Sequence, residues 1–322
     1  MSGDEQPNLS NLNPSSQISQ TFAATIDHLT TRVLDRFAQE TAEKQLFYHN
    51  QDHVRDVQRR SQQIFALIAP KLDPEIDRER TQSLLDFCAI AHDLVQQFDP
   101  NSPPHTTRQR QPGVSERMTI EQLMRLIDQH NQQTSDRAAQ LTEADIAVIQ
   151  QAITATICTY NLQEQAIYQP LLYSGEPLSI VSRILALADL GTLGIDGIEV
   201  YNREGSLLFL EENPDVVSLV QSGEIYQLVE TDPTLAENIR QRLLKRCRFQ
   251  VNFAKSRLSH LEQELQGFPA AIHPVLLTKI FRHLSPATIQ TLEAITPTEP
   301  DTALNVLLKF FQFEKYVPRS TE

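Results

Sequence analysis

Positive charge, cysteine, glycine and long apolar runs are all scarce in this 322-residue chain. Lysine and arginine total 28 against 41 aspartates and glutamates, a net charge of −13. A surface this acidic argues against non-specific binding to nucleic acid or to a membrane. No apolar run of about 18 residues occurs, so no membrane span is expected. The N-terminus has no apolar signal core, so secretion is not expected and the expected location is the cytoplasm. Cys88, Cys158 and Cys247 lie in apolar or helical stretches with no paired spacing and read as reduced core thiols. With only 9 glycines and no clean apolar–polar alternation, a sheet is not expected.

Helical periodicity is what is there. Hydrophobic residues make up 40% of the chain, enough for a buried core. Residues 1–19 are rich in Ser, Asn, Gln and Pro and are expected to be a disordered tail. From Phe22 the apolar positions Phe22, Ile26, Leu29, Val33 and Phe37 recur every three or four residues, which predicts a helix. Similar patterns follow near 50–69, 77–98, 114–130, 142–160 and 178–193. No internal repeat is found. The expectation is an all-α helical bundle, with a main domain over 20–230 and a C-terminal helical extension over 231–322. In the extension, one long helix is expected over 233–266, with others near 273–283, 286–295 and 301–314. Pro286 after Ser285 fits a helix start.

Within this frame five residues carry chemistry. Tyr48-His49-Asn50-Gln51-Asp52-His53 opens one helical stretch, Ala91-His92-Asp93-Leu94 lies in a second, and Leu187-Ala188-Asp189-Leu190 in a third. His49 and His53 are four apart and would share a helix face. His92 and Asp93 are adjacent and diverge by about 100° around a helix, yet both can lean toward an ion beside it. Apolar flanks predict burial, and buried charges are seldom left without a partner or a metal. Imidazole and carboxylate suit borderline divalent ions such as Mn, Fe, Co, Ni or Zn.

The order His, His-Asp, Asp on helices resembles the HD-domain superfamily of metal-dependent phosphohydrolases. The Tyr48-His49-Asn50-x-x-His53-x-x-x-Val57 segment is similar to the opening of the cyclic-nucleotide phosphodiesterases and of small bacterial HD proteins, and the likeness covers about residues 20–200. It implies an HD-type bundle with His53, His92, Asp93 and Asp189 as ligands to one divalent ion, Mg included. It also implies that His49 donates a proton to the leaving oxygen; the alternative is that His49 fixes Asp189 or a helix end. Binuclear members have a further histidine three residues after the His-Asp aspartate. Gln96 stands there, and the intervening His105 and His130 are in polar contexts, so a single ion is expected. The lysine that often follows His-Asp in the cyclic-dinucleotide branch is also missing, which argues against that substrate class.

Further residues complete the expected site. The loop over 99–113, broken by Pro100, Pro103 and Pro104, leaves His-Asp directly and carries Arg108 and Arg110, which would clamp a phosphate; a solvated surface loop is the alternative. Small HD proteins often carry a glutamate after this loop, so the resemblance implies that Glu116 orients water or holds Arg108. On the long helix, Arg242, Arg246, Phe253 and Arg257 share a face. Arg246 and Arg257 are substrate-binding candidates there, and pairing with Glu262 and Glu264 is the alternative. Asp196, after Gly191 and Gly194, would either support the site or cap a turn. The expected activity is hydrolysis of a phosphate ester of a nucleotide-like small molecule by a metal-activated water. The alternatives are a catalytically silent sensor or scaffold that keeps the metal, and a helical adaptor without one. The oligomeric state is left open.

Overall fold

The computed structural model describes residues 21–319. The expected disordered tail lies outside the described residues. The chain is all-α, with one two-stranded hairpin as its only sheet among the described residues.

Local signals start the helices where the periodicity begins. Thr21 caps α1 (Phe22–Lys44) by accepting from the Ala24 amide, Asn50 caps α2 (Gln51–Ile68), and Asp77 caps α3 (Arg78–Ala91). α4 (Val114–Gln133) starts after Gly113, whose φ of 76° is open to glycine at little cost. A Thr142–Asp145 capping box starts α5 (Glu143–Ala155) and Ser179 caps α6 (Ile180–Asp189). The helices α2, α3 and α6 pack on one another, with α1 against α3 and α5 against α6. Their inward stripes, including Leu29, Val57, Leu85, Ile153 and Leu185, are almost fully removed from water.

The second half begins with α7 (Thr192–Asp196), α8 (Ile198–Glu212), α9 (Pro214–Ser222) and α10 (Leu228–Thr231). The expected boundary at 230–231 falls within α10. The long helix α11 (Pro233–Glu264) serves two apolar clusters. Ile239, Leu243 and Cys247 pack with α8, α9 and α14 (Leu304–Phe311). Phe253, Ala254 and Leu261 pack into the cluster built on α1–α6. Between α11 and α14 along the chain come a single turn, α12 (His273–Val275), and α13 (Pro286–Ile295), whose Ile289 and Leu292 join the cluster built on α1–α6.

Three expectations change. The helix read over 77–98 ends at Ala91, so the His-Asp pair sits just past a helix end. The stretch 142–160 gives way at Ala155 to a hairpin, β1 (Thr159–Asn161) against β2 (Ala166–Tyr168), with Thr159 opposite Tyr168. Each strand is three residues, too short for alternation to register. The turn is set by Asn161, whose side chain accepts from the Gln163 and Glu164 amides. The helix expected near 273–283 is one α-turn followed by a wider π-type turn over Leu276–Ile280. All three cysteines are free, Cys88 and Cys247 buried. No helix among the described residues is long and apolar enough to cross a membrane.

Candidate metal centre

His53, His92, Asp93 and Asp189 converge: each offers one ligand atom, and the four lie within 4.8 Å of one another. His53 is in the first turn of α2, whose cap Asn50 accepts from the Asp52 and His53 amides. The Nδ1–H of His92 donates to the Ala89 carbonyl at 2.9 Å, which turns its Nε2 lone pair toward the carboxylates. Asp189 is the last residue of α6.

The spacings suit an ion. Asp93 Oδ2 lies 3.2 Å from His53 Nε2 and 3.1 Å from His92 Nε2. Asp189 Oδ1 lies 3.7 Å and 3.5 Å from the same two nitrogens. Two ligand atoms each about 2.1 Å from one ion stand about 3.0 Å apart at a right angle and about 3.4 Å apart at the tetrahedral angle. Despite these approaches, His53 Nε2 and His92 Nε2 are buried without a hydrogen bond. Coordination of one ion would satisfy both nitrogens and both carboxylates at once.

The outer oxygens are held by amides. Gln96 Nε2 donates to Asp93 Oδ1 at 3.0 Å, and Gln169 Nε2 to Asp189 Oδ2 at 3.1 Å. The imidazoles are 2% and 1% exposed, whereas the Asp93 and Asp189 side chains keep 16% and 12%, so the centre opens to solvent on its carboxylate side. Burial works to lower the pKa of His92, but the charges of Asp93 and Asp189 outweigh it and raise it well above the ordinary value. Burial works to raise that of Asp93, but His92 and His49 hold it well below the usual carboxylate range.

His49 is not on the helix. It precedes the cap, so the shared helix face expected for His49 and His53 does not form. Its position comes instead from Glu211, in the last turn of α8. Glu211 Oε2 accepts from the Tyr48 and His49 amides, at 2.9 Å each, and Oε1 lies 2.5 Å from His49 Nδ1. This leaves His49 Nε2 facing Asp93 Oδ2 at 3.8 Å. Burial would raise the Glu211 pKa, but the His49 imidazole and Arg110 outweigh it and hold it down to about 2.

Of the expected arginines, Arg110 is at the centre. Its Nη1 donates to Gln96 Oε1 at 2.6 Å and lies 2.9 Å from His49 Nε2. Glu116, in the first turn of α4, is close enough that Asp93 and Asp189 add to burial in raising its pKa. Arg108 does not hold Glu116 or an open phosphate position. Its Nε donates to the Glu211 carbonyl at 2.6 Å, and its guanidinium stacks 3.7 Å from the Phe98 ring. On the distal stripe two of the three arginines are in ion pairs and the third, among the described residues, is not. Arg242 binds Asp215 at 2.7 Å and Arg257 binds Glu264, while Arg246 lies over Phe249. Asp196 caps no turn. It accepts from Arg59 at 2.9 Å and from the fully buried Arg60 at 2.6 Å, locking α2 to α7. His105 is exposed beside Asp215, and His130 is buried among polar neighbours, with Thr134 Oγ1 3.2 Å from its Nε2 and the His28 ring 5.8 Å away, so neither joins the cluster.

Glu211 and Gln169 were not anticipated. A carboxylate after Leu207-Leu208-Phe209-Leu210 was a faint signal for the first, and Gln169 gave none. No protein-family model, curated protein or solved structure matches the chain.

Proposed function

We propose that the protein is an HD-type phosphohydrolase that uses one divalent ion to cleave a phosphate ester of a nucleotide or similar small molecule. The observation that carries this reading is the pair of buried, unpartnered imidazole nitrogens facing two carboxylates. The order of the four residues along the chain, together with the Tyr48-His49-Asn50 opening, supports the family resemblance. His53, His92, Asp93 and Asp189 would hold the ion. When bound, such an ion supplies positive charge to a phosphoryl oxygen and lowers the pKa of water toward about 7.

The chain's own groups supply the rest. His49, its Nδ1 fixed by Glu211, presents Nε2 to the centre and would give a proton to the leaving oxygen. Arg110 would offset charge on the equatorial oxygens. Glu116, with its pKa raised, is suited to orient or take a proton from the attacking water. Gln96 holds Asp93 and Arg110 in one arrangement through its two amide atoms.

One observation favours a second reading, a silent ligand sensor. Both His49 ring nitrogens already lie close to protein groups, Glu211 and Arg110. A phosphate-ester screen with Mn, Ni, Co and Mg added in turn separates the two. Turnover by wild type that is lost in Asp93→Ala supports the enzyme. Metal binding without turnover of any ester supports the sensor, and no bound metal under any condition removes both.

A further inference from the structure

Away from the metal centre, α1 and α4 border an open groove of about 400 Å³. Its walls are Arg32, Asp35, Arg36 and Gln39 on α1, and Gln122, Arg125, Leu126 and Gln129 on α4. No residue of the metal cluster lines it. Three arginines and one aspartate give the lining a charge of 3 − 1 = +2, on a chain whose net charge is −13.

The arginines are only partly committed. Arg32 spans the groove to donate to Gln129 Oε1 at 2.9 Å, a neutral partner that leaves its charge uncompensated. Arg36 bonds Glu40 at 3.2 Å, but Glu40 also takes Lys44 at 2.6 Å, so its negative charge is shared. Arg125 has no ion pair among the described residues. One turn along, the His28 and His130 rings meet at 5.8 Å. Burial lowers the pKa of His130, and His28 and Arg32 lower it further, as expected beside concentrated positive charge.

We propose that this groove is a binding site for a small polyphosphate anion. Guanidinium groups on both walls can grip phosphate oxygens in paired hydrogen bonds, and the Gln39, Gln122 and Gln129 amides add neutral donors. The volume is within the usual range for small-ligand sites, roughly 300–1,000 Å³. No aromatic side chain lines the groove, so nothing there stacks a base. The site therefore recognises the phosphate chain and not the nucleoside.

The test is calorimetric titration of the full-length protein with inorganic tripolyphosphate, with ATP and UTP as comparisons and no divalent ion added. Saturable binding at one site is expected, with the three ligands similar in affinity. Arg32→Ala combined with Arg125→Ala should weaken it by about tenfold or more, since each removes charge-assisted bonds from one wall. Arg32→Lys should retain part of the affinity. Occupancy should also move the His130 ring titration, followed by NMR, back toward its ordinary value. These side chains lie along a surface groove, so circular dichroism should show the variants folded. Absence of saturable binding overturns the proposal. So does binding that survives the double arginine substitution, binding that is lost only in Asp93→Ala, or strong discrimination between the two nucleotides.

Discussion

Glu211→Gln isolates the link between α8 and His49. The glutamine keeps the size of the side chain and can still accept from the Tyr48 and His49 amides, but it loses the charge that faces the His49 ring. In the folded protein the Glu211 pKa is about 2 against an ordinary 4.5, and the side chain is fully buried. A depression of that size corresponds to about 3 kcal/mol of stability. Because the folded pKa is lowered, that stability is present above about pH 4.5. It is lost as pH falls from there toward 2. Denaturant titrations of wild type and variant across pH 2–7 should therefore differ by about 3 kcal/mol at neutral pH and converge in acid. Other carboxylates titrate in both proteins and cancel in the difference. A gap that stays constant with pH would refute the argument, because it would show that shape and not charge is what Glu211 contributes.

The remaining predictions concern the centre itself. Asp93→Ala should lose the divalent ion in metal analysis of the purified protein, along with any turnover, and full retention of both would remove Asp93 from the assignment. His49→Ala should keep the ion and lose on the order of a hundredfold in rate, less on a nitrophenyl ester than on an alkyl ester, and equal losses would make the ring a structural group. Arg110→Ala should raise KM or lower kcat with the metal retained, whereas Arg257→Ala should lower the melting temperature, because it leaves buried Glu264 without its counter-charge and, among the described residues, with only the Tyr173 hydroxyl as partner. Metal affinity should fall as pH drops, because protonation of His92, whose pKa the two carboxylates raise, competes with the ion; a pH-independent Kd would contradict this.

The parts legible in sequence are those where one residue type has one physical reading. The apolar stripe Phe22, Ile26, Leu29, Val33, Phe37 becomes α1, and Ser285-Pro286 starts α13 where expected. The four clustered residues were legible because histidine and aspartate in apolar frames have few other uses. The arginines were not, because a guanidinium serves a phosphate, a carboxylate or a carbonyl equally well. Arg110 and Arg108 are two residues apart on one loop, yet one touches Gln96 and His49 and the other the Glu211 carbonyl. That choice depends on where α8 ends. Glu211 was hidden for a related reason, since two of its three contacts are with main-chain amides, which almost every residue carries.

The placement of the cluster has its own logic. His53 is in the first turn of α2, His92 and Asp93 follow the last residue of α3, and Asp189 ends α6. The ends of α3 and α6 are the negative poles of their helix dipoles, which favours a cation beside them. The start of α2 carries the opposite charge, which favours an anion. Glu116 and Glu211 also sit in terminal turns, of α4 and α8. Helix ends let the chain change direction, so side chains from five helices meet at one point without opening the apolar stripes that pack between them. The fully buried Arg60, held by Asp196 and Glu204, then fixes α2 against α7 and α8 a short way along the same helix from His53. The helix middles supply the rigidity, and the helix ends supply the residues that could hold a cation and, at α3 and α6, the field that suits one.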